Sequence, residues 1–404
     1  TNGEPITDGW FRRRLEAAGV DTKFIHGFSV ELSSVIKEVN SHSVFIDIHW
    51  APNSPSCHPP GLFLKRIVCK ELPERDESKW DVDVKSYSVE SNFLEHFAPA
   101  MQDLVHLPAV YYTEHNTLSP SSLSSFLTLS ELLKGWEHEG SFLPKHSLSS
   151  LSLLAAFHST TWDCKDKLEL AKNEMWERGT YWELKKREGE GMEEKWEKVF
   201  LPAFSSYKED FFAQEDVKQM ARLTRKWEKE VNERLWERKK ENLCVIHGDY
   251  KAANIFFKEK EEDGEVRANM IDFQWSGVGP PAQDVSYLLI SSIPITENEE
   301  LKSEEYEEQL LNCYYSSLPA KIQQNYPFSS FIVDYKLSFF EVARFTIAYF
   351  LWKNPSPGDM SKIRSHLPAG LQRKCPEQCM WMLKKHLSIL QEMEKNGGQV
   401  SDDL

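Results

Sequence analysis

Two short stretches hold the side chains most able to do chemistry. The first is Cys244-Val245-Ile246-His247-Gly248-Asp249-Tyr250-Lys251-Ala252-Ala253-Asn254-Ile255-Phe256-Phe257, and the second is Met270-Ile271-Asp272-Phe273-Gln274. Together they set a carboxylate, an amide and a second carboxylate at the ends of apolar runs. Oxygen ligands of this kind suit magnesium, which is usually held by only one or two carboxylates together with phosphates and water. Phosphoryl transfer calls for such a set, because its transition state carries charge on oxygens and the protein mainly positions the reactants and supplies cations. Asn254 and Asp272 therefore read as metal ligands. Asp249 is left for an acceptor hydroxyl, which a carboxylate within hydrogen-bond reach can orient and deprotonate. His247 reads as a support for the loop. Lys251 could offset charge that grows on the transferred group, or could be an ordinary solvent-facing lysine.

Other elements must bring these groups together. Lys258 to Glu265 is a polar turn with Asp263-Gly264 as a hairpin signal, so the runs on either side form a strand pair that keeps Asn254 and Asp272 close. Nearer the start, Ser43 to Ile48 and Leu62 to Val68 are strand-like runs separated by a Pro-rich loop, Pro52 to Pro60. In the second run Phe63, Lys65 and Ile67 share one face. A lysine on an apolar face wants an anionic partner, because an unpaired buried ammonium is costly. Glu90, in the helical-looking stretch Tyr87 to Glu95, is the obvious one. An edge-strand lysine in water is the plain alternative for Lys65, and Lys70 is a rival for its role.

The pattern His247-Gly248-Asp249-x-x-x-x-Asn254 with Ile271-Asp272-Phe273-Gln274 resembles aminoglycoside phosphotransferase-like and choline-kinase-like enzymes, most closely the branch that includes ecdysteroid kinases. Leu154 to Ser159 looks like the helix preceding the catalytic loop of that family. Gly277-x-Gly279-Pro280-Pro281-x-x-Asp284-Val285 looks like its segment after the metal aspartate. The resemblance implies an α+β, two-lobed, protein-kinase-like fold, with a small antiparallel-sheet lobe at residues 1–130 and a larger, mainly helical lobe at 131–404. It also implies ATP and Mg2+ as cofactors. Lys65 would hold the nucleotide phosphates, Glu90 would hold Lys65, and Asp284 would brace the catalytic loop, although an N-cap is an equally simple reading of that aspartate.

The phosphate-covering loop departs from the usual glycine-rich form. Gly27 to Val35 has one glycine, and its Ser29, Ser33 and Ser34 could donate to phosphate or be ordinary turn residues. A hinge is expected at Phe126 to Leu132, where backbone groups around Leu129 would read adenine. From Trp162 to Asn242 the chain is charged, helical-looking and rich in tryptophan, including Trp176, Trp182, Trp196, Trp227 and Trp236. By resemblance this insertion helps form the acceptor pocket. Aromatic faces attract amines, yet tryptophan at helical spacing is commonly packing.

The spacing from Asp272 to Asp284 leaves little chain for the peptide platform of a protein kinase, and no Ala-Pro-Glu follows. A small hydroxyl-bearing metabolite is the better acceptor, with a kinase-like binding module lacking activity as the alternative and a protein kinase behind it. The 404 residues are 40% hydrophobic, enough for more than one core. A net charge of -15 argues against nucleic acid and against an anionic membrane surface, while leaving room for a cationic substrate. Seven cysteines form no Cys-x-x-Cys pair, and Cys375 and Cys379 are spaced for one helical face, so a reducing, cytoplasmic setting is expected. The first residues carry no basic, apolar targeting segment, although the missing initial Met leaves room for a removed peptide. Phe339 to Trp352 is apolar but short for a bilayer and carries Glu341 and Arg344, so it reads as a buried helix. Thr296 to Glu299 resembles a capping box opening an acidic, solvated helix.

Overall fold

The structure is a computed structural model. It describes residues 6–30, 36–37, 42–54, 59–71, 77–102, 104–140, 142–189, 191–205, 208–237, 240–260, 264–295, 303–349 and 376–403. Ser33, Ser34, Asp263, the Thr296 to Glu299 box, Phe350 to Trp352 and Cys375 lie outside these residues.

The chain forms two compact units, one of residues 1–136 with 270–274 and one of residues 137–269 with 275–404. In the first, helix α1 (Asp8–Ala17) is followed by strands β1 (Ile25–Val30), β2 (Ile36–Lys37), β3 (His42–Trp50) and β4 (Gly61–Val68). Helix α2 (Glu77–His96) and strands β5 (Val110–Asn116) and β6 (Ser125–Glu131) complete it. The antiparallel sheet runs β1-β3-β4-β6-β5, with β2 added to β3.

Alternation along the strands sorts their side chains between two helices. Leu62, Leu64, Leu127 and Leu129 face a cluster that includes Trp10, Phe11 and Leu15 of α1. Ile67 and Phe126 face Val84 and Tyr87 of α2. Covering both faces buries the large side chains on either side, each worth about 1.5–3 kcal/mol. Odd-numbered positions of β4 therefore point toward α2, which is where Lys65 stands.

The second unit is mainly helical. Its longer helices are α3 (Pro144–Ser159), α4 (Lys165–Glu174), α5 (Met220–Asn232), α6 (Ala282–Ser291), α7 (Ser303–Ser317), α8 (Phe328–Tyr349) and α9 (Pro376–Lys395). Strands β7 (Cys244–Ile246), β8 (Ile255–Glu259), β9 (Val266–Met270) and β10 (Gly277–Gly279) pair as β7 with β10 and β8 with β9. Every residue of α6 is buried, the polar Gln283, Asp284, Ser286 and Ser291 included, and it packs along α8. Helix α8 is likewise buried from Phe331 to Ala348 apart from one position, in keeping with the reading of that run as interior. No helix among the described residues is long and apolar enough to cross a membrane.

Several expectations need correction. The stretch 125–131 is not a hinge but an inner strand, and the units divide between Trp136 and Glu137. Gly27 and Ser29 lie within β1 rather than in a loop. The insertion is helical only in part, since among the described residues 175–189 run without a helix after α4. Of its tryptophans, Trp182 and Trp196 are core residues, whereas Trp176, Trp227 and Trp236 are half-buried. Among the described cysteines, Cys164 and Cys313 are free thiols.

Candidate active site

Asp249 stands on a loop that the second unit grips from several sides. Leaving β7, the chain turns at Gly248 with φ +77°, and a Cβ there would lie 2.0 Å from the Trp275 carbonyl oxygen and 2.7 Å from the Thr180 nitrogen. Only glycine fits a left-handed position so close to other backbone. Asp284 supplies the main brace. One carboxylate oxygen accepts from the His247 amide at 2.6 Å and lies 3.2 Å from His158 Nε2, and the other accepts from the Gly248 amide at 2.9 Å. Asp284 is the third residue of α6, whose N-cap is Pro281, so the N-cap reading of this aspartate is replaced by the bracing one.

His158 holds the brace in turn. Its Nδ1 lies 2.8 Å from the Tyr314 hydroxyl, and burial lowers its pKa, which favours the neutral ring. His247 acts locally, as the sequence suggested, with Nδ1 accepting from the Asp249 amide at 3.3 Å. The Tyr250 hydroxyl donates to the Ser150 carbonyl of α3 at 2.9 Å, and the Ala252 amide donates to Ser292 Oγ at 2.8 Å.

The polar tips are arranged around Asp249. Lys251 Nζ lies 2.7 Å from Asp249 Oδ2, and Asn254 Nδ2 donates to the Asp249 carbonyl at 2.9 Å and to Oδ2 at 3.3 Å. With that amide nitrogen engaged, Asn254 has Oδ1 as its metal-ligating atom. Asp249 Oδ1 is buried and has no hydrogen-bond partner among the described residues. A buried acceptor left open in this way is costly unless something else meets it. Lys251 is thus an ion-pair partner of the candidate base rather than a lysine standing free in solvent.

The first unit gathers a second set of groups. Lys65 Nζ meets Glu90 Oε2 at 2.7 Å, with both side chains mostly buried. Lys70 is exposed on the turn after β4, which removes it as a rival. Burial raises the Glu90 pKa, Lys65 opposes that rise, and the Asp272 charge adds to it. Asp272 itself has φ +67°, a left-handed conformation uncommon for a residue with a side chain, and its Oδ1 is buried without a partner. The next ring, Phe273, stacks on Phe93 of α2 with centroids 3.9 Å apart. Gln274 hydrogen-bonds to Glu90.

Two nucleotide-site expectations fare differently. Leu129 is fully buried on the α1 face of the sheet, opposite Lys65, and is paired in register with Leu64 on one side and Tyr112 on the other. A mid-sheet backbone so engaged is not open to adenine, so Leu129 is withdrawn as a contact. Ser29 lies exposed on β1 with Oγ 2.8 Å from His49 Nε2, which gives it an ordinary surface partner.

Among the described residues no group of three or more His, Cys, Asp or Glu side chains forms a metal cage. The donors present still fit magnesium, since an amide oxygen and a buried, unpartnered carboxylate oxygen are the sparse hard ligands it takes alongside phosphates. Near the loop, Trp176 and Trp275 stack at 5.2 Å, and Tyr181 lies 5.4 Å from Trp275. Lys186 stands 5.0 Å from the Trp176 ring and Arg178 stands 6.0 Å from that of Trp236. One face of each of these rings is therefore already served by the protein's own cation. Sequence reasoning missed the hold of Phe273 and Gln274 on α2 and the His158–Tyr314 support. Their signal, aromatic and amide side chains flanking a motif, is too common to read without coordinates.

An antiparallel sheet that pairs a lysine with a helix glutamate, and a helical unit bearing an Asp-x-x-x-x-Asn loop, define an α+β, two-lobed, protein-kinase-like fold. The model of the ecdysteroid kinase-like family matches residues 60–325, and the chain belongs to that family. No curated protein sequence matches it. Similar solved structures include a microcompartment-associated aminopropanol kinase, 14% identical over 92% of this chain and 94% of that one, with a TM-score of 0.46. An amicoumacin kinase in complex with AMP-PNP and Ca2+ is 12% identical over 90% and 95%, with a TM-score of 0.45. An ethanolamine kinase of Plasmodium vivax is 10% identical over 92% and 84%, with a TM-score of 0.40.

Proposed function

We propose that this protein is an ATP- and magnesium-dependent kinase that phosphorylates a hydroxyl group of a small metabolite. The observation that carries the reading is Asp249. Its loop is fixed by backbone hydrogen bonds, one carboxylate oxygen is held by Lys251 and Asn254, and the other is buried without a partner. In this reading Asp249 Oδ1 accepts the hydrogen bond of the acceptor hydroxyl, aligns its oxygen and takes its proton as the bond to phosphorus forms. Lys251 pairs with the other carboxylate oxygen and faces the charge that develops on the transferred group. Lys65, steadied by Glu90, holds the nucleotide's inner phosphates.

Asn254 and Asp272 would hold the metal. Magnesium, when bound, neutralises charge on the phosphate oxygens and orients them. The short run from Asp272 to α6 supports a metabolite over a peptide. The free thiols of Cys164 and Cys313 are in keeping with a reducing, cytoplasmic setting.

ATP consumption against pooled hydroxyl-bearing metabolites tests the reading, with Asp249→Asn as the blank. The variant should turn over about 10²- to 10⁴-fold more slowly while binding Mg-ATP as before, because it loses the proton acceptor and keeps the shape. Equal turnover by both proteins would refute the assignment of the base. Failure of the unaltered protein to bind Mg-ATP would favour a kinase-like binding module instead.

A further inference from the structure

The three residues Asp272-Phe273-Gln274 do more than present one carboxylate. They belong to the first unit although they come late in the chain, and they reach α2 at two points three residues apart. Phe273 stacks on Phe93, with rings inclined by 15°, and both rings are almost wholly buried. Gln274 bonds to Glu90, one helical turn earlier on the same face. Glu90 in turn holds Lys65 across from β4. The result is a chain of contacts from Gln274 through Glu90 to Lys65.

We infer that Gln274 is a positioning residue for the nucleotide: its amide fixes the Glu90 carboxylate, and through it sets where the Lys65 ammonium stands. The inference rests on the nucleotide-binding reading given above. A carboxylate in a mostly buried site has several oxygen positions to choose among, and one lysine alone does not select between them. A second donor, delivered by an amide whose own backbone is anchored by the Phe273 ring, does. An amide can do this without adding charge beside Asp272, whereas a carboxylate at position 274 would repel both acids. Gln274 touches neither the phosphates nor the acceptor in this scheme, so it acts through the pair.

Titration calorimetry with ADP in excess EDTA isolates this arm, because metal-free ADP does not call on the metal ligands. Gln274→Met keeps the volume and removes the donor, and it should weaken metal-free ADP about tenfold, as loss of a hydrogen bond to a charged group implies. Glu90→Gln should weaken it at least as much. In the double variant the two losses should overlap rather than add, since both act on Lys65. Gln274→Asn, with the same donor on a shorter stem, should recover part of the affinity, and in steady state the Met variant should raise the ATP KM with little change in kcat. A purely structural role would lower the melting temperature and leave ADP affinity alone. Wild-type affinity in Gln274→Met, or strictly additive losses, would overturn the inference while leaving the kinase reading intact. Absence of ADP binding by the unaltered protein would instead remove the nucleotide reading, and this inference with it.

Discussion

The Asp249 loop of the second unit and the lysine–glutamate pair of the first are built on opposite plans. The loop around Asp249 is held by backbone: Asp284 accepts from two consecutive amides, Gly248 turns where no other residue fits, and Tyr250 and Ala252 tie down the far side. The Lys65–Glu90 pair is held by side chains on two different elements. Backbone anchoring makes position a property of the fold, whereas side-chain anchoring makes it a property of one contact. On the proposed function, Asp249 as base must sit in one place throughout the reaction, and Lys65 as a phosphate-binding lysine can tolerate adjustment as nucleotide arrives and leaves.

Removing one anchor from each plan is the sharpest way to break the contrast. Asp284→Ala deprives two buried amides and His158 of their acceptor and should cost about 3–5 kcal/mol, read as a shifted midpoint in denaturant. If the protein kept its stability, the loop would not be backbone-braced. Lys65→Met should weaken ATP by about 10- to 100-fold in calorimetry, the usual size of a lost charge-assisted contact, and should cost less stability than Asp284→Ala, because burial already raises the Glu90 pKa and lets it take up a proton once its cation is gone. Equal stability losses in the two variants would erase the distinction.

A third buried carboxylate extends the comparison. Glu341 on α8 accepts from Trp236 at 3.2 Å and from Gln283 at 2.7 Å, with no backbone amide among these donors, and burial pushes its pKa up to about 7. Between the usual 4.5 and about 7 the folded chain binds the extra proton, so the Glu341 contribution makes stability fall as pH rises through that window. The span corresponds to at most about 3 kcal/mol. Urea melts at pH 5 and pH 8 should show a smaller fall in Glu341→Gln than in the unaltered protein, and an unchanged difference would dismiss the idea. At the small end, Ser29→Ala should change ADP affinity and stability by less than about 0.5 kcal/mol, because Ser29 is an exposed strand residue bonded to His49. A larger loss of affinity would restore Ser29 to the phosphate site.

Much of this was legible in residue order because local pattern and chemistry agreed. The strand containing Lys65, the helix containing Glu90 and the pair between them followed from one lysine on an apolar face. The Asp249 loop followed from polar residues set between short apolar runs. The hinge was misplaced because β6 is apolar and serine-bearing in the same measure as a linker, and its inner position depends on β4 and β5 lying on both sides of it. Leu129 fell with it, since the face a strand residue takes is fixed by register rather than by residue type. The role of Asp284 was suggested by resemblance, but its place inside α6 required the helix start at Pro281, one turn earlier than an N-cap reading allows. Gln274 was noted only for what it was not, a glycine, because its partner lies far away in sequence.

The return of residues 270–274 to the first unit has a practical corollary for anyone dividing this protein. A fragment ending at residue 136 would carry the whole sheet yet leave the Phe93 ring uncovered and Glu90 short of a donor. The smaller lobe is completed only by chain made after about half of the larger one, so during synthesis its interior must wait for a piece that emerges more than a hundred residues later.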